Sequence, residues 1–215
     1  MQTEIQKKYF RRAKLANFIL QIAPFIRMIG LNGSLARNEA RADSDIDFII
    51  IVKPGRIWTC RAAALFLMII AGLKRYPKKI AGRVCLNLFQ TEDKLELTTK
   101  TEKLARSHSY TWLLWQESDQ FQKFIQVNDW VKSFGYKFQK NKFNYNYLEF
   151  ILLIFILLVR RIGEFVFDLF FNDWGERILS TYQKQRVLRD PRTKGARPGN
   201  IFVSEKELRF HPPKG

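Results

Sequence analysis

Residues 46–52 read Ile-Asp-Phe-Ile-Ile-Ile-Val and are closed by Pro54-Gly55, a nearly continuous β-branched and aromatic run with turn chemistry behind it. Apolar side chains at successive positions leave both faces of a strand, so the run predicts a central strand covered by protein on two sides. The chain must therefore supply two layers around a sheet. With 215 residues, 47% of them hydrophobic, it has the material to do so, which excludes a wholly disordered chain and a disulfide-stapled miniprotein. Cys60 and Cys85 lie in apolar stretches and form no CxxC pair, so neither a disulfide framework nor a structural zinc site is expected, and a reducing cytoplasm fits best.

Around that strand the periodicities predict an α+β fold. Ile5, Phe10, Leu15, Phe18, Ile19 and Ile22 recur at helical spacing over Thr3–Ala23, an amphipathic helix ended by Pro24. Phe25–Leu31 follows as a short strand, then a polar turn with Gly33 and Ser34. Arg56–Lys74 reads as a helix, Arg83–Phe89 as a strand, and Lys94–Thr98 as a further strand after a turn at Thr91–Asp93. From residue 100 onward the pattern is helical: Lys100–Gln116, Asp119–Phe134, Tyr145–Phe171 and Glu176–Leu188. Strands first and helices after predict an α+β unit over 1–99 and a helical region over 100–215 with a basic tail, its Arg189–Asn200 stretch an exposed loop.

Two apolar stretches bear on membranes. Ala62–Leu73 and Phe150–Val159 would make only about 15–18 Å of apolar helix, against roughly 30 Å of hydrocarbon to cross. Extending the second brings in Arg160, Arg161, Glu164 and Asp168, each costing about 2.5–3.5 kcal/mol near a bilayer centre. Both are expected to be buried core helices, with in-plane attachment to a membrane through basic flanks as the alternative. The charged N-terminus is followed by helical spacing without a small-residue cleavage site, so no secretory signal is expected.

Charge narrows the partners. Lys and Arg number 37 against 20 Asp and Glu, a net +17 suited to polyanions: nucleic acid, nucleotide or anionic lipid. Lys74, Arg75, Lys78, Lys79, Arg160, Arg161 and the tail are candidates for such a surface. His108 and His211 read as polar surface or helix-end residues, and most of the five Trp and nineteen Phe as packing.

Chemistry concentrates in Gly30–Val52. Asp45 and Asp47, two apart in a strand, leave one face while Ile46 and Phe48 leave the other. Two such carboxylates repel by about 4 kcal/mol at about 4 Å unless a cation sits between them. Magnesium is the natural candidate, a hard cation that completes its shell with water and substrate phosphates. Just upstream, Gly33 permits close backbone approach and Ser34 offers a hydroxyl and an amide to a phosphate.

Taken together, Gly33-Ser34, the ten residues between Ser34 and Asp45, and Asp45-x-Asp47 resemble the signature of the polymerase-beta nucleotidyltransferase superfamily. The intervening Ala36-Arg37, Glu39-Ala40, Arg41 and Asp43-Ser44 resemble its minimal bacterial members, whose usual run is close to GSxARGEAxxxSDID. The resemblance implies a small mixed sheet flanked by helices. It also implies that Gly33 and Ser34 bind the triphosphate of a nucleotide such as ATP, and that Asp45 and Asp47 are catalytic and hold Mg2+ or Mn2+. Arg37 would either contact phosphate or pin the short helix by pairing with Asp43 and Asp45.

The family pattern carries a third carboxylate on a following strand. In Arg83–Phe89 no acid is present, and Asn87 occupies the expected position, where its amide oxygen would serve as a metal ligand without charge or basicity. Glu92 and Asp93, just beyond, are the acids nearest in sequence. Looser resemblance to nucleotidyltransferase-like bacterial proteins extends to RIWTCRAAALFLMI, VCLNLF and the terminal ELRFHP. Two functions follow as expectations: transfer of a nucleoside monophosphate to a hydroxyl on RNA, protein or a small molecule, or a catalytically impaired nucleotide- or RNA-binding module, of the kind found in a toxin–antitoxin or defence pair.

Overall fold

The structure is a computed structural model and describes residues 3–190 and 201–210. Thr3 caps α1 (Glu4–Leu20): its hydroxyl accepts from the Gln6 amide while the Gln6 side chain accepts from the Thr3 amide, a reciprocal capping box. The chain then passes through β1 (Ile26–Asn32), the single turn α2 (Gly33–Ala36), β2 (Ile46–Val52), α3 (Ile57–Ile70) and β3 (Val84–Thr91). α4 (Glu102–Ser109), β4 (Trp112–Gln116) and α5 (Gln120–Val127) follow, with a 3-10 turn at Asp129–Phe134. α6 (Tyr147–Phe170) and α7 (Asn172–Arg189) follow with Phe171 between them, and β5 (Phe202–Val203) and β6 (Glu207–Arg209) close the described chain.

The strands form one mixed sheet in the order β4-β1-β2-β3-β6-β5, in which β2 and β3 run parallel and the other neighbours antiparallel. β2 is central, as its composition requires. Ile46, Phe48, Ile50 and Val52 join the core cluster beneath α1 and α3, whereas Ile49 and Ile51 join the cluster on the opposite face, with Phe121 and Phe124 of α5. Burying two such side-chain sets, at about 1.5–3 kcal/mol per side chain, is what holds this strand in register.

Several elements differ from the sequence expectation. Lys100–Gln116 is not one helix: α4 ends at Ser109 and the aromatic segment WLLWQ becomes β4, pairing with β1. Lys94–Thr98 is irregular, although Leu95 and Leu97 are buried. Its backbone is held by Asn128, which donates to Leu95 O at 2.8 Å and accepts from Leu97 N at 2.9 Å, because β6 takes the edge of β3. The sheet thus draws strands from either side of residue 99. Of the expected basic loop Arg189–Asn200, residues 191–200 lie outside the described residues, as does His211.

The expectation of a buried Phe150–Val159 is overturned. On α6 Arg160, Glu164 and Ile156 are buried, while Ile154, Phe155 and Leu158 are exposed. Glu164 accepts from the Phe25 amide at 2.8 Å and pairs with Arg27 at 2.8 Å and Arg161 at 3.2 Å. Arg56 pairs with Asp168 and Asp173, and Glu176 accepts from the Trp58 and Thr59 amides at the start of α3. Charged contacts therefore seat α6 and the start of α7. No helix among the described residues is long and apolar enough to cross a membrane.

Candidate active site at the rim of the sheet

Where β1 ends and β2 begins, Asn32 pairs with Asp47 across the antiparallel ladder, and the chain turns immediately into α2. Gly33 makes that turn with a φ of 73°. A side chain there would run into the Asp47 carboxylate, lying 3.0 Å from its Cγ, so only glycine lets the backbone sit against this acid. Ser34, the second residue of α2, is half-buried beside it.

α1 braces the loop between α2 and β2. Gln6 Nε2 donates to Asn38 O at 2.5 Å, and Tyr9 Oη donates to Ala42 O at 2.6 Å. Arg12 donates to Gly82 O at 3.1 Å, the Gly82 amide donates to Ser44 O at 2.7 Å, and the Ile46 amide donates to Arg83 O at 2.8 Å. The first residues of β2, and with them both aspartates, are fixed from two sides.

The structure brings Asp45 and Asp47 together, and the residue it adds to them is Cys85. In the parallel register Cys85 stands opposite Asp47, and ligating atoms of Asp45, Asp47 and Cys85 lie within 4.8 Å of one another. Asn87, expected to be the third ligand, comes two residues later, at the irregularity where Phe48 pairs with Leu86 and Ile49 with Leu88. Its carbonyl accepts from the Phe210 amide at 3.1 Å, and its buried Oδ1 has no hydrogen-bond partner among the described residues. Glu92 and Asp93 do not join the cluster. They lie past the other end of β3, about 23 Å along the strand from Cys85, where Glu92 accepts from Gln120 and Asp93 pairs with Lys206.

Arg75 is the cation of this cluster. Its amide donates to Val84 O at 3.0 Å, pinning the segment after α3 against β3, and its guanidinium reaches Asp45 Oδ2 at 3.0 Å and Cys85 Sγ at 3.7 Å. Arg37 does not take the expected partners Asp43 and Asp45. It pairs with Glu39 at 2.8 Å, and Arg106 pairs with the other Glu39 oxygen at 2.9 Å. The Arg37 hydrogen bond, set against partial burial, leaves the Glu39 pKa below its ordinary value.

Of the two alternatives for His108, the helix-end one holds, since it lies in the last turn of α4, and the surface one does not. His108 is fully buried behind Asn32, its Nδ1 3.4 Å from the Asn32 amide nitrogen, and Ser107 donates to Asn32 Oδ1 at 3.2 Å. Burial, aided by the charge of Arg209, pulls the His108 pKa down to about 3, so the ring is neutral at pH 7 and serves to hold the end of β1.

Two carboxylates and a thiol converging within a few ångströms, with a guanidinium already drawn to them and a glycine-only cradle above, fit a divalent cation. Sequence reasoning missed Cys85 because Cys85 and Asn87 share a strand parity, and only the register of β3 against β2 tells which stands opposite Asp47. Arg75 was legible only as one member of a basic run.

A family model described as a nucleotidyltransferase domain matches residues 12–134, more than half of the chain, and takes in Gly33, Ser34, Asp45, Asp47, Arg75 and Cys85. Comparison with curated proteins and with solved structures finds no match. The sheet, its glycine-cradled acid pair and the family model agree: the chain belongs to the nucleotidyltransferase domain family.

Proposed function

We propose that the protein transfers a nucleoside monophosphate from a nucleoside triphosphate to a hydroxyl acceptor on RNA, protein or a small molecule. The observation that carries this reading is the placement of Asp47 against the Gly33 turn, with Asp45 beside it, at one rim of the sheet. The α2 amides and the Ser34 hydroxyl receive the triphosphate tail, and the acid pair receives Mg2+ or Mn2+. When bound, that ion supplies charge neutralisation for the α-phosphate and the leaving group. The acceptor oxygen bonds to the α-phosphorus while the bond from that phosphorus to its bridging oxygen breaks; pyrophosphate leaves and the acceptor proton passes to solvent. Arg75 has to yield Asp45 to the ion, which makes the segment after α3 part of the working site.

A second reading has its own observation. Asn87 stands where the family pattern is expected to carry an acid, Cys85 is the strand residue opposite Asp47, and Arg75 already pairs with Asp45, an arrangement equally suited to a module that binds nucleotide or RNA without transferring anything. Incubation with α-labelled ATP, CTP, GTP and UTP, total RNA and either ion decides. The proposal expects label on an acceptor, abolished by Asp45→Ala and by Asp47→Ala. Nucleotide binding with no labelled acceptor under any combination would establish the second reading instead.

A further inference from the structure

From α6 we infer a second surface, one that lays the protein on an anionic lipid bilayer. Ile151, Phe155, Leu158, Ile162, Phe165 and Leu169 all lie exposed along this helix, at 48–68% of their full accessibility. At a rise of about 1.5 Å per residue the stripe from Leu148 to Phe170 is about 33 Å long. From Ile154 round to Leu152 it covers an arc of about 160° at roughly 100° per residue, without one charged side chain. Arg160 and Glu164 of this helix are buried against Arg27 and Glu117, and the half-exposed Arg161, paired with Glu117 and Glu164, lies at the border of the arc beside Ile154.

Three features select lipid over a second copy of the chain. A protein interface requires polar groups, about one hydrogen bond per 100–200 Å², and this arc offers none between Leu148 and Phe170. It is broader than the a/d seam of a two-helix coiled coil: Leu152, Val159 and Val166 continue the apolar surface on one side of that seam, and the charges of Arg161 and Asp168 lie only beyond Ile154 on the other. Net charge completes the argument: two chains of +17 repel, whereas an anionic surface attracts one. The neighbouring α7 carries interfacial chemistry on its exposed side, Trp174, Ile178 and Tyr182 with Arg177 between them, and its last turns add the exposed Arg186 and Arg189, basic groups suited to lipid phosphates. Aliphatic insertion and headgroup contact together make the stable two-signal attachment that neither provides alone.

The test is co-sedimentation of the full chain with vesicles of phosphatidylcholine containing phosphatidylglycerol, with pure phosphatidylcholine as comparison. Wild type should pellet with the anionic vesicles and keep a salt-resistant fraction. Phe155→Gln combined with Phe165→Gln, both at exposed sites and checked by circular dichroism, should lower partition at least about tenfold. Absence of wild-type binding overturns the proposal, as does equal binding by the double variant. So does a vesicle-free dimer that the double variant dissolves, since a second copy would then be what covers α6. Nucleotidyl transfer is read separately and does not bear on the result.

Discussion

Asp47 on β2 and Cys85 on β3 stand opposite each other in the parallel register, and a carboxylate oxygen of Asp45 completes a set of three ligating atoms within 4.8 Å. Two hard donors and one soft one make this rim chemically distinct from a site built of carboxylates alone.

Metal preference follows from that donor set. Cys85→Ser should weaken binding of zinc and cadmium severalfold while leaving magnesium affinity unchanged, and Cys85→Asp should shift preference toward magnesium. Titration calorimetry with each ion reads both effects. Equal response of hard and soft ions to Cys85→Ser would remove the thiol from the site.

Gly33 is held at a positive φ with Asp47 directly against it, so Gly33→Ala meets backbone strain and a clash at once. A loss of about 1–3 kcal/mol in stability is expected from the strain. Nucleotide affinity should fall further than stability accounts for, because the displaced acid belongs to the site. Thermal denaturation and equilibrium nucleotide binding separate the two effects.

Glu164 anchors α6 to β1. Burial works to raise its pKa, but the hydrogen bond and charge of Arg27, the Phe25 amide and the charge of Arg161 outweigh it and leave the carboxyl below its ordinary value of 4.5. A depressed carboxylate stabilises the fold above its unfolded-state pKa, and that contribution is lost as pH falls through the folded value. Glu164→Ala leaves Arg27 and Arg160 with Glu117 as their remaining acid and the Phe25 amide without its acceptor. About 3 kcal/mol of stability should be lost in chemical denaturation at neutral pH.

His108 gives the fold a steeper acid sensitivity. Folded, it stays neutral down to about pH 3, whereas unfolded it protonates near 6.5. Below pH 6.5 the unfolded state therefore binds the extra proton, and stability falls by about 1.4 kcal/mol per pH unit from this residue. His108→Gln should be the less stable protein at pH 7 yet show a flatter stability profile between pH 6.5 and 4. Parallel profiles for the two proteins would contradict the assignment.

Local signals were strongest where pattern and packing coincide. IDFIIIV is β2 residue for residue, Thr3 caps α1, and the glycine-serine turn lies beside the acid pair, because each depends on neighbours in sequence. β4 reads as part of a helix in the sequence since WLLW is apolar at every position and has no period of its own; its pairing with β1 supplies the distinction. The alternation of Leu95 and Leu97 signals burial rather than a strand, once Asn128 holds the backbone. Charge pairs joining distant elements, such as Arg75 with Asp45 and Arg27 with Glu164, leave no periodic trace. The outward apolar face of α6 was invisible for a related reason: sequence fixes the faces of a helix but not which one meets the protein.

The central claim is that Asp45 and Asp47 form a metal and triphosphate site with the Gly33–Ser34 turn. Anomalous diffraction from crystals grown with Mn2+ and a non-hydrolysable nucleoside triphosphate tests it most directly. The account predicts a manganese peak between the two carboxylates, triphosphate density on the α2 amides, and Arg75 released from Asp45. Nucleotide bound away from this rim, or Arg75 still clasping Asp45 with no manganese beside it, would contradict the claim.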